Sequence, residues 1–193
     1  MQKLGVVSLG CPKNAVDTEL VLGDLQGDED EYELISDQKD ADVIIVNTCG
    51  FIESSKKESI DAILEMAALK TEGKCKKLVV TGCLSERYSD ELLKEIPEID
   101  HMLGVNQYPR LKQILKESNS QKDNTSINHV HEPAEYFESY MNRVLTTPFY
   151  SAYLKLGEGC SNKCAFCIIP KIRGRFRSRT HESIIYEAKH FAQ

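Results

Sequence analysis

Residues 43–49 decide the fold, with the sequence Val43-Ile44-Ile45-Val46-Asn47-Thr48-Cys49. We predict a buried strand over Asp42–Val46, and the runs Lys3–Leu9 and Lys77–Val80 have the same apolar, β-branched character. Strands that are apolar at nearly every position are buried on both faces, as they are in parallel sheets covered by helices. These runs therefore favour a sheet that lies inside the protein.

Helical patterns alternate with these strands. The predicted helices are Asn14–Leu25, Glu53–Leu69 and Asp90–Ile96, and His101–Val105 with Leu111–Lys116 would add one more strand–helix pair. Strands alternating with helices indicate an α/β fold with an open, mostly parallel sheet and right-handed crossovers.

The composition is that of a soluble globular chain. Its 193 residues are 41% apolar and 28% charged, which suits one full domain and at most part of a second. This excludes a wholly disordered, collagen-like or coiled-coil protein. With no signal peptide and no apolar run near the roughly 20 residues that span a bilayer, we expect a cytoplasmic protein without membrane contact. Disulfides are rare in that compartment, so the seven cysteines indicate metal or redox chemistry.

Charge divides the chain into two parts. Residues 1–150 carry 16 Lys and Arg against 27 Asp and Glu, whereas residues 151–193 carry eight against three. We predict an α/β domain over 1–117, a linker over 118–147, and a second module over 148–193 with a strand at Tyr150–Leu156 and a helix from about His181. Phosphate backbones need concentrated positive charge, so we expect no direct RNA binding by this chain.

Three cysteines of the first domain occupy equivalent positions. Cys11, Cys49 and Cys83 each lie just past the carboxyl end of a predicted parallel strand. Ligands bind at that edge of open α/β sheets, so the three thiols can meet around a metal centre. A single such cysteine would more simply be a buried structural thiol, but three in equivalent places favour a cofactor. Neighbouring Gly10 and Gly82 would let the backbone approach a bulky group.

Three more cysteines form the pattern Cys160-x3-Cys164-x2-Cys167 in the second module. Three thiolates this close can hold a cubane iron–sulfur cluster and leave one iron open for a substrate. Zinc is the alternative. It prefers Cys-x2-Cys pairs and four protein ligands, and the nearest candidate for a fourth ligand is His181.

With an aromatic residue at Phe166, this pattern resembles the signature of the radical S-adenosylmethionine (radical SAM) enzymes. The upstream motifs resemble the amino-terminal domain of the methylthiotransferases within that superfamily, and the resemblance covers essentially the whole chain. These motifs are Gly10-Cys11-Pro12-Lys13-Asn14-x-x-Asp17-Thr18-Glu19, Asn47-Thr48-Cys49-Gly50-Phe51 and Thr81-Gly82-Cys83-Leu84.

The resemblance implies two [4Fe-4S] clusters and S-adenosyl-L-methionine as cofactors. One cluster would be held by Cys11, Cys49 and Cys83, and the other by the cysteines of the second module. Phe166 would lie beside the bound nucleoside, and Arg173 is a further cofactor-binding candidate. It also implies an incomplete radical SAM α/β barrel after the first domain, since only its first strand–helix unit is present. We therefore expect an amino-terminal fragment that is inactive alone.

Cys11-Pro12-Lys13-Asn14 resembles the ribosomal-protein branch of the family. That branch adds a methylthio group to the β-carbon of an aspartate in small-subunit ribosomal protein twelve. A radical formed from S-adenosylmethionine at one cluster abstracts the hydrogen, and the other cluster supplies the sulfur with its methyl group. An electron donor such as flavodoxin or ferredoxin would be a partner. The alternatives are a transfer-RNA adenosine methylthiotransferase and a zinc-binding or redox-sensing module.

A basic segment follows the second cysteine group. If it is extended, alternation places Arg173, Arg175, Arg177 and Arg179 on one side. Such a row could meet carboxylates of the cofactor or substrate, or close against the acidic first domain.

Overall fold

A parallel sheet covered on both faces forms the centre of the protein. The structure is a computed structural model that describes residues 1–26, 31–105, 107–120, 126–130 and 143–192. Within these ranges six parallel strands pair in the order β2-β1-β3-β4-β5-β6. They are β1 Gln2–Ser8, β2 Tyr32–Leu34, β3 Val43–Thr48, β4 Lys77–Gly82, β5 His101–Met102 and β6 Ile127–Asn128. The predicted α/β fold class is confirmed.

Helices cover the two faces of this sheet. Four belong to the first domain: α1 Pro12–Gln26, α2 Glu53–Glu72, α3 Cys83–Glu95 and α4 Leu111–Ser120. Short 3-10 turns lie at Gln38–Asp40 and Tyr108–Arg110. The second module holds α5 Ile169–Ile172, α6 His181–Phe191 and an antiparallel pair, β7 Gly157–Glu158 with β8 Arg177–Ser178.

Strand β3 shows why the decisive stretch is apolar throughout. Val43 and Ile45 pack into one core with α1 and α4, whereas Ile44 and Val46 pack into a second core with α2 and α3. All six residues of β3 are buried, so each side chain contributes to one core or the other. The sheet is therefore the wall between two apolar layers.

The three central strands end together at one edge. Ser8 pairs with Asn47, and Thr48 pairs with Gly82, so the last residues of β1, β3 and β4 lie side by side. The chain segments that carry Cys11, Cys49 and Cys83 leave the sheet from this edge. The predicted convergence of the three loops is thus a consequence of strand register.

Some elements differ from the sequence-based expectations. Helix α3 begins at Cys83, seven residues before the predicted start at Asp90, and Tyr88 interrupts it with a non-helical backbone. The predicted linker 118–147 includes the end of α4 and strand β6, which pairs with β5. Residues 121–125 and 131–142 of that linker lie outside the described residues. The domain boundaries themselves remain a prediction.

The predicted strand Tyr150–Leu156 is wrong. Residues 151–156 form no strand; the pairing with β8 covers only Gly157 and Glu158, beside a single bond from the Arg179 amide to the Leu156 carbonyl at 3.0 Å. Helix α6 does begin at His181, where the Thr180 hydroxyl accepts a hydrogen bond from the Ser183 amide at 3.2 Å. None of the helices in the described ranges combines the length and the apolar character that crossing a bilayer requires.

Candidate metal centre

A cavity of about 700 Å³ opens at the carboxyl edge of the sheet. Cys11, Cys49 and Cys83 line it, and so does Cys160 from the second module. Apolar side chains form much of the remaining wall: Phe51 and Ile52 before α2, and Ile169 and Ile172 of α5. The structure therefore brings the three strand-end cysteines together and adds one cysteine of the second group to the same space.

Asn14 ties the loops of this edge together. Its side-chain amide donates to the carbonyl oxygens of Leu9 at 3.0 Å and Thr48 at 2.9 Å. Asn47 in turn donates to the Asn14 carbonyl and to the Thr18 hydroxyl, each at 2.9 Å. Both asparagines are buried, so each bond satisfies a polar group that could not reach water. The two side chains orient the cysteine loops.

Two glycines have a structural reason that the sequence analysis did not give. A Cβ at Gly10 would lie 2.6 Å from the Cys49 Cβ, and one at Gly82 would lie 2.4 Å from the Thr48 carbonyl oxygen. Both residues also have positive φ, 94° and 105° respectively. Glycine is required here because the loops approach one another, in addition to any space that a cofactor needs.

The thiols of the cavity differ in environment. Cys11 is exposed, whereas Cys49 and Cys83 are buried. Burial raises the pKa of the Cys83 thiol to about 11, although the nearby Arg173 guanidinium opposes this rise by its charge and a hydrogen bond. Cys75 is also buried with a pKa raised to about 11 by burial, but it donates to the Lys77 carbonyl at the opposite end of β4. It lies outside the cavity.

The donor set fits an iron–sulfur cluster better than a single ion. Within the described ranges no three His, Cys, Asp or Glu side chains are arranged around one metal position. Zinc bonds sulfur at about 2.3 Å, so four ligands must converge on one point. A cubane instead gives each thiolate its own iron and needs thiols spread around a larger space. All seven cysteines are free, and four of them, Cys11, Cys49, Cys83 and Cys160, line this largely apolar cavity.

Arg173 joins the two modules beside this cavity. Its guanidinium donates to Asp17 at 3.0 Å and Glu158 at 2.9 Å through one nitrogen. Through the other it donates to the Asn14 side-chain oxygen at 2.7 Å and lies 3.6 Å from the Cys83 sulfur. The side chain is buried and lines the cavity. Its role toward a cofactor remains a prediction.

The prediction of one arginine row is wrong. Helix α5 ends just before Arg173, and Gly174 turns the chain with a φ of 73°, so the segment is not extended. Arg173 and Arg179 are buried in different places, whereas Arg175 is exposed. Of these arginines, Arg173 binds the first domain, whereas Arg179 pairs with Glu187 of the second module.

Two carboxylates of the interface are surrounded by cations. Lys155 binds Asp17 at 2.6 Å and also pairs with Glu158, while Lys13 lies 3.4 Å from Glu158. Burial alone would raise the pKa of Glu158, but Lys155 and Arg173 outweigh it and hold that pKa at about 2. Glu158 is therefore ionised at neutral pH and pairs with Lys155 and Arg173 where the two modules meet.

Glu19 anchors a second buried cluster. Its carboxylate accepts from Arg143 at 2.7 Å and from both the amide and the hydroxyl of Thr146 at 2.8 Å. Arg143 continues to Glu187 of α6 at 2.7 Å, and Glu187 also binds Arg179. Helix α1 thus begins directly after Cys11 and carries Asp17, which binds the second module, and Glu19, which is linked to it through Arg143.

The remaining predicted site residues do not line the cavity. Cys164 is exposed and Cys167 half-buried, and neither belongs to the cavity wall. Phe166 is 94% exposed. The Cys160 amide donates to the Gly174 carbonyl at 3.0 Å, which fixes one end of the loop to the turn after Arg173. The assignments of Phe166 and of the six cysteines stay predictions.

Sequence reasoning missed the structural partners of the site, Asp17, Lys155 and Glu158. The signal for Asp17 was its spacing from Asn14, since residues three apart share one helix face. Nothing in the sequence paired Lys155 or Glu158 with residues about 140 positions away. Such contacts depend on how two separate modules pack.

Comparison with known proteins finds a matching family and similar relatives. Residues 3–104 match the family described as Uncharacterized protein family UPF0004. The chain is 47% identical to ribosomal protein uS12 methylthiotransferase RimO of Geobacter sulfurreducens over 188 residues, which are 97% of this chain and 41% of that protein. It is 52% identical to the protein of the same name in Clostridioides difficile, with 100% and 42% covered. The chain thus spans about two fifths of the length of these relatives.

The fold also matches solved structures of the radical S-adenosylmethionine methyltransferase TsrM from Kitasatospora setae. With cobalamin and a [4Fe-4S] cluster bound, that enzyme aligns with a TM-score of 0.63 at 15% identity, over 99% of this chain and 46% of its own. Its complex with tryptophan and a SAM analogue gives a TM-score of 0.62 at 13% identity. At these identities the likeness concerns the fold.

Proposed function

The chain belongs to the UPF0004 family, and on that premise we propose that it serves in a methylthiotransferase that modifies ribosomal protein uS12. The names of its relatives support this proposal, and so does their identity of about one half with the chain. The reaction would add a methylthio group to the β-carbon of an aspartate. The cofactors would be two [4Fe-4S] clusters and S-adenosyl-L-methionine.

One observation carries the proposal: Cys11, Cys49, Cys83 and Cys160 line one largely apolar cavity. Cys160, the first cysteine of the second group, lies 77 positions after Cys83 in the sequence and lines the same cavity as the first group. Replacing a hydrogen on an unactivated carbon by a methylthio group needs the sulfur donor and the hydrogen-abstracting centre close together and shielded from water. The apolar wall and the shared space support that requirement.

The proposed ligands are Cys11, Cys49 and Cys83 for one cluster, and Cys160, Cys164 and Cys167 for the other. When bound, these groups supply the radical chemistry and the sulfur, while the protein binds, orients and excludes water. Asn14 orients the loops of the first cysteine group, and Ile169 and Ile172 exclude water from the cavity.

The second module would bind the nucleoside cofactor. We propose that Phe166 packs against it, and the exposure of its side chain leaves the ring available for such a contact. Arg173 remains a candidate at the cavity wall. The proposed modules are residues 1–117 and 148–193, and the contacts of Asp17 with Lys155 and Arg173 of the second module support a fixed arrangement of the two.

The proposed partners are the small-subunit ribosomal protein and an electron donor such as flavodoxin or ferredoxin. We propose the cytoplasm as the compartment. Seven free cysteines, with no disulfide framework, are consistent with a reducing environment.

A chimera tests this function. Residues 1–193 replace the matched part of the Clostridioides difficile relative, and the purified protein receives S-adenosylmethionine, dithionite and ribosomal protein uS12 under anaerobic conditions. We expect one methylthio group on one aspartate of uS12, detected by mass spectrometry of peptides. A matched chimera with Cys11, Cys49 and Cys83 changed to Ala should still form 5′-deoxyadenosine but leave uS12 unmodified. Modification of a transfer-RNA adenosine with uS12 unchanged would contradict the proposal.

A further inference from the structure

We propose that Arg173 is a positioning residue that raises the reduction potential of a cluster held by Cys11, Cys49 and Cys83. The inference rests on the proposed function, because it requires a cluster at those cysteines. Arg173 would act through the Cys83 sulfur, and it would make that potential depend on the loop that carries Cys160, Cys164 and Cys167.

The Arg173 guanidinium has a single orientation. One nitrogen donates to Asp17 at 3.0 Å and Glu158 at 2.9 Å, and the other donates to Asn14 at 2.7 Å and lies 3.6 Å from the Cys83 sulfur. Because both arms are engaged, the group cannot turn away from the sulfur without losing bonds to buried carboxylates. A lysine at this position has one point charge and could not hold both sides.

Arg173 is also attached to the second cysteine group. It follows Cys167 by six residues, and α5 between them packs Ile172 into the core of the first domain. The next residue, Gly174, accepts a hydrogen bond from the Cys160 amide at 3.0 Å. A shift of this loop therefore moves the guanidinium relative to Cys83.

The direction of the effect follows from charge. Reduction adds an electron to a cluster, and a positive group beside a ligand sulfur stabilises the added charge. Hydrogen bonds to cluster sulfurs and burial are established controls of such potentials. Asp17 and Glu158 oppose the charge of Arg173, but Lys155 pairs with both of them. Because the guanidinium is the group that reaches the Cys83 sulfur, we expect the loss of its positive charge to determine the change in the potential.

The test measures a potential and needs no turnover. In a background with Cys160, Cys164 and Cys167 changed to Ala, the chain is reconstituted anaerobically so that only the first cluster can form. The cluster is then titrated with dithionite and followed by electron paramagnetic resonance. The variants are Arg173→Met and Arg173→Lys. The control is Arg175→Met, which removes the same charge from an exposed position in the same segment.

We expect Arg173→Met to disfavour one-electron reduction by about tenfold, equivalent to about 59 mV. Arg173→Lys should recover part of this change, because it keeps the charge near Asp17 and Glu158 but lacks the second arm. Arg175→Met should leave the potential unchanged. If Arg173→Met does not take up iron, Arg173→Lys is compared with the background chain instead, and we expect its potential to be lower.

Iron-loaded Arg173 variants with the unaltered potential would overturn the inference while leaving the proposed function intact. A lowered potential of the same size in Arg175→Met would also overturn it, because the effect would then be one of net charge. Failure of the background chain itself to hold iron would instead overturn the proposed function, and this inference with it.

Discussion

Gly82→Ala tests the close packing of the cysteine loops. Gly82 ends β4 beside Thr48 and precedes Cys83, with a φ of 105° and a ψ of −160°. This backbone region is essentially restricted to glycine, and a side chain there costs about 1–3 kcal/mol. The added Cβ would also lie 2.4 Å from the Thr48 carbonyl oxygen and 2.5 Å from the Asn47 side-chain oxygen.

The contact adds to the backbone strain. Forcing an extra carbon into a packed site costs about 1–3 kcal/mol, so we expect a total near 4 kcal/mol. Gly174→Ala is the matched control, because Gly174 has a φ of 73° but no atom within 4 Å of the added Cβ. The control should cost about 1–2 kcal/mol, which is strain alone.

Urea unfolding of both variants, followed by circular dichroism, gives the two free energies. We expect Gly82→Ala to be less stable than Gly174→Ala by at least about 2 kcal/mol. Equal destabilisation of the two variants would refute the reasoning, because the loops at the carboxyl edge would then have room that the structure does not show.

Other predictions concern stability and thiol reactivity. Glu19→Gln should lower the free energy of unfolding in urea by about 3 kcal/mol, because it removes one partner of a buried ion pair. Asp40→Asn, in an exposed pair, should cause no measurable loss. An equal effect of the two variants would contradict this prediction. Burial and the neighbouring His129 lower the pKa of His101 to about 4 from 6.5, so the folded state resists a proton that the unfolded chain accepts. Between pH 7 and pH 4 the unaltered protein should therefore lose roughly 3 kcal/mol more of its free energy of unfolding than the His101→Gln variant does. Parallel pH profiles of the two proteins would argue against this prediction. Cys75 should react with iodoacetamide at pH 8 far more slowly than the exposed Cys164. Cys75→Ala should leave the iron content unchanged, and a loss of iron in this variant would show that Cys75 belongs to the site.

The parts of the fold that depend on local pattern were predictable from the sequence. β3 was predictable because a β-branched run buried on both faces must lie inside a parallel sheet. α1 and α2 were predictable from apolar periodicity. The meeting of Cys11, Cys49 and Cys83 followed from strand direction alone, since parallel strands end at one edge.

Contacts between distant segments were not predictable in this way. Residues 151–156 look like a strand by composition, but a strand also needs a neighbour, which local sequence does not supply. Arg173 was predicted as one of a row of four arginines, and only the packing of α5 against the first domain shows its buried position. Asn14 was predicted as the first residue of a helix, but its side-chain bonds run to Leu9 and Thr48 across two loops.

Iron counting after anaerobic reconstitution tests the central claim most directly. We expect about eight iron ions per chain, as two cubanes require, with the visible absorption of iron–sulfur clusters. Changing Cys11, Cys49 and Cys83 to Ala should remove about half of the iron, and so should changing Cys160, Cys164 and Cys167. Stoichiometric zinc without iron, or iron that neither triple substitution reduces, would contradict the assignment of these six cysteines to two clusters.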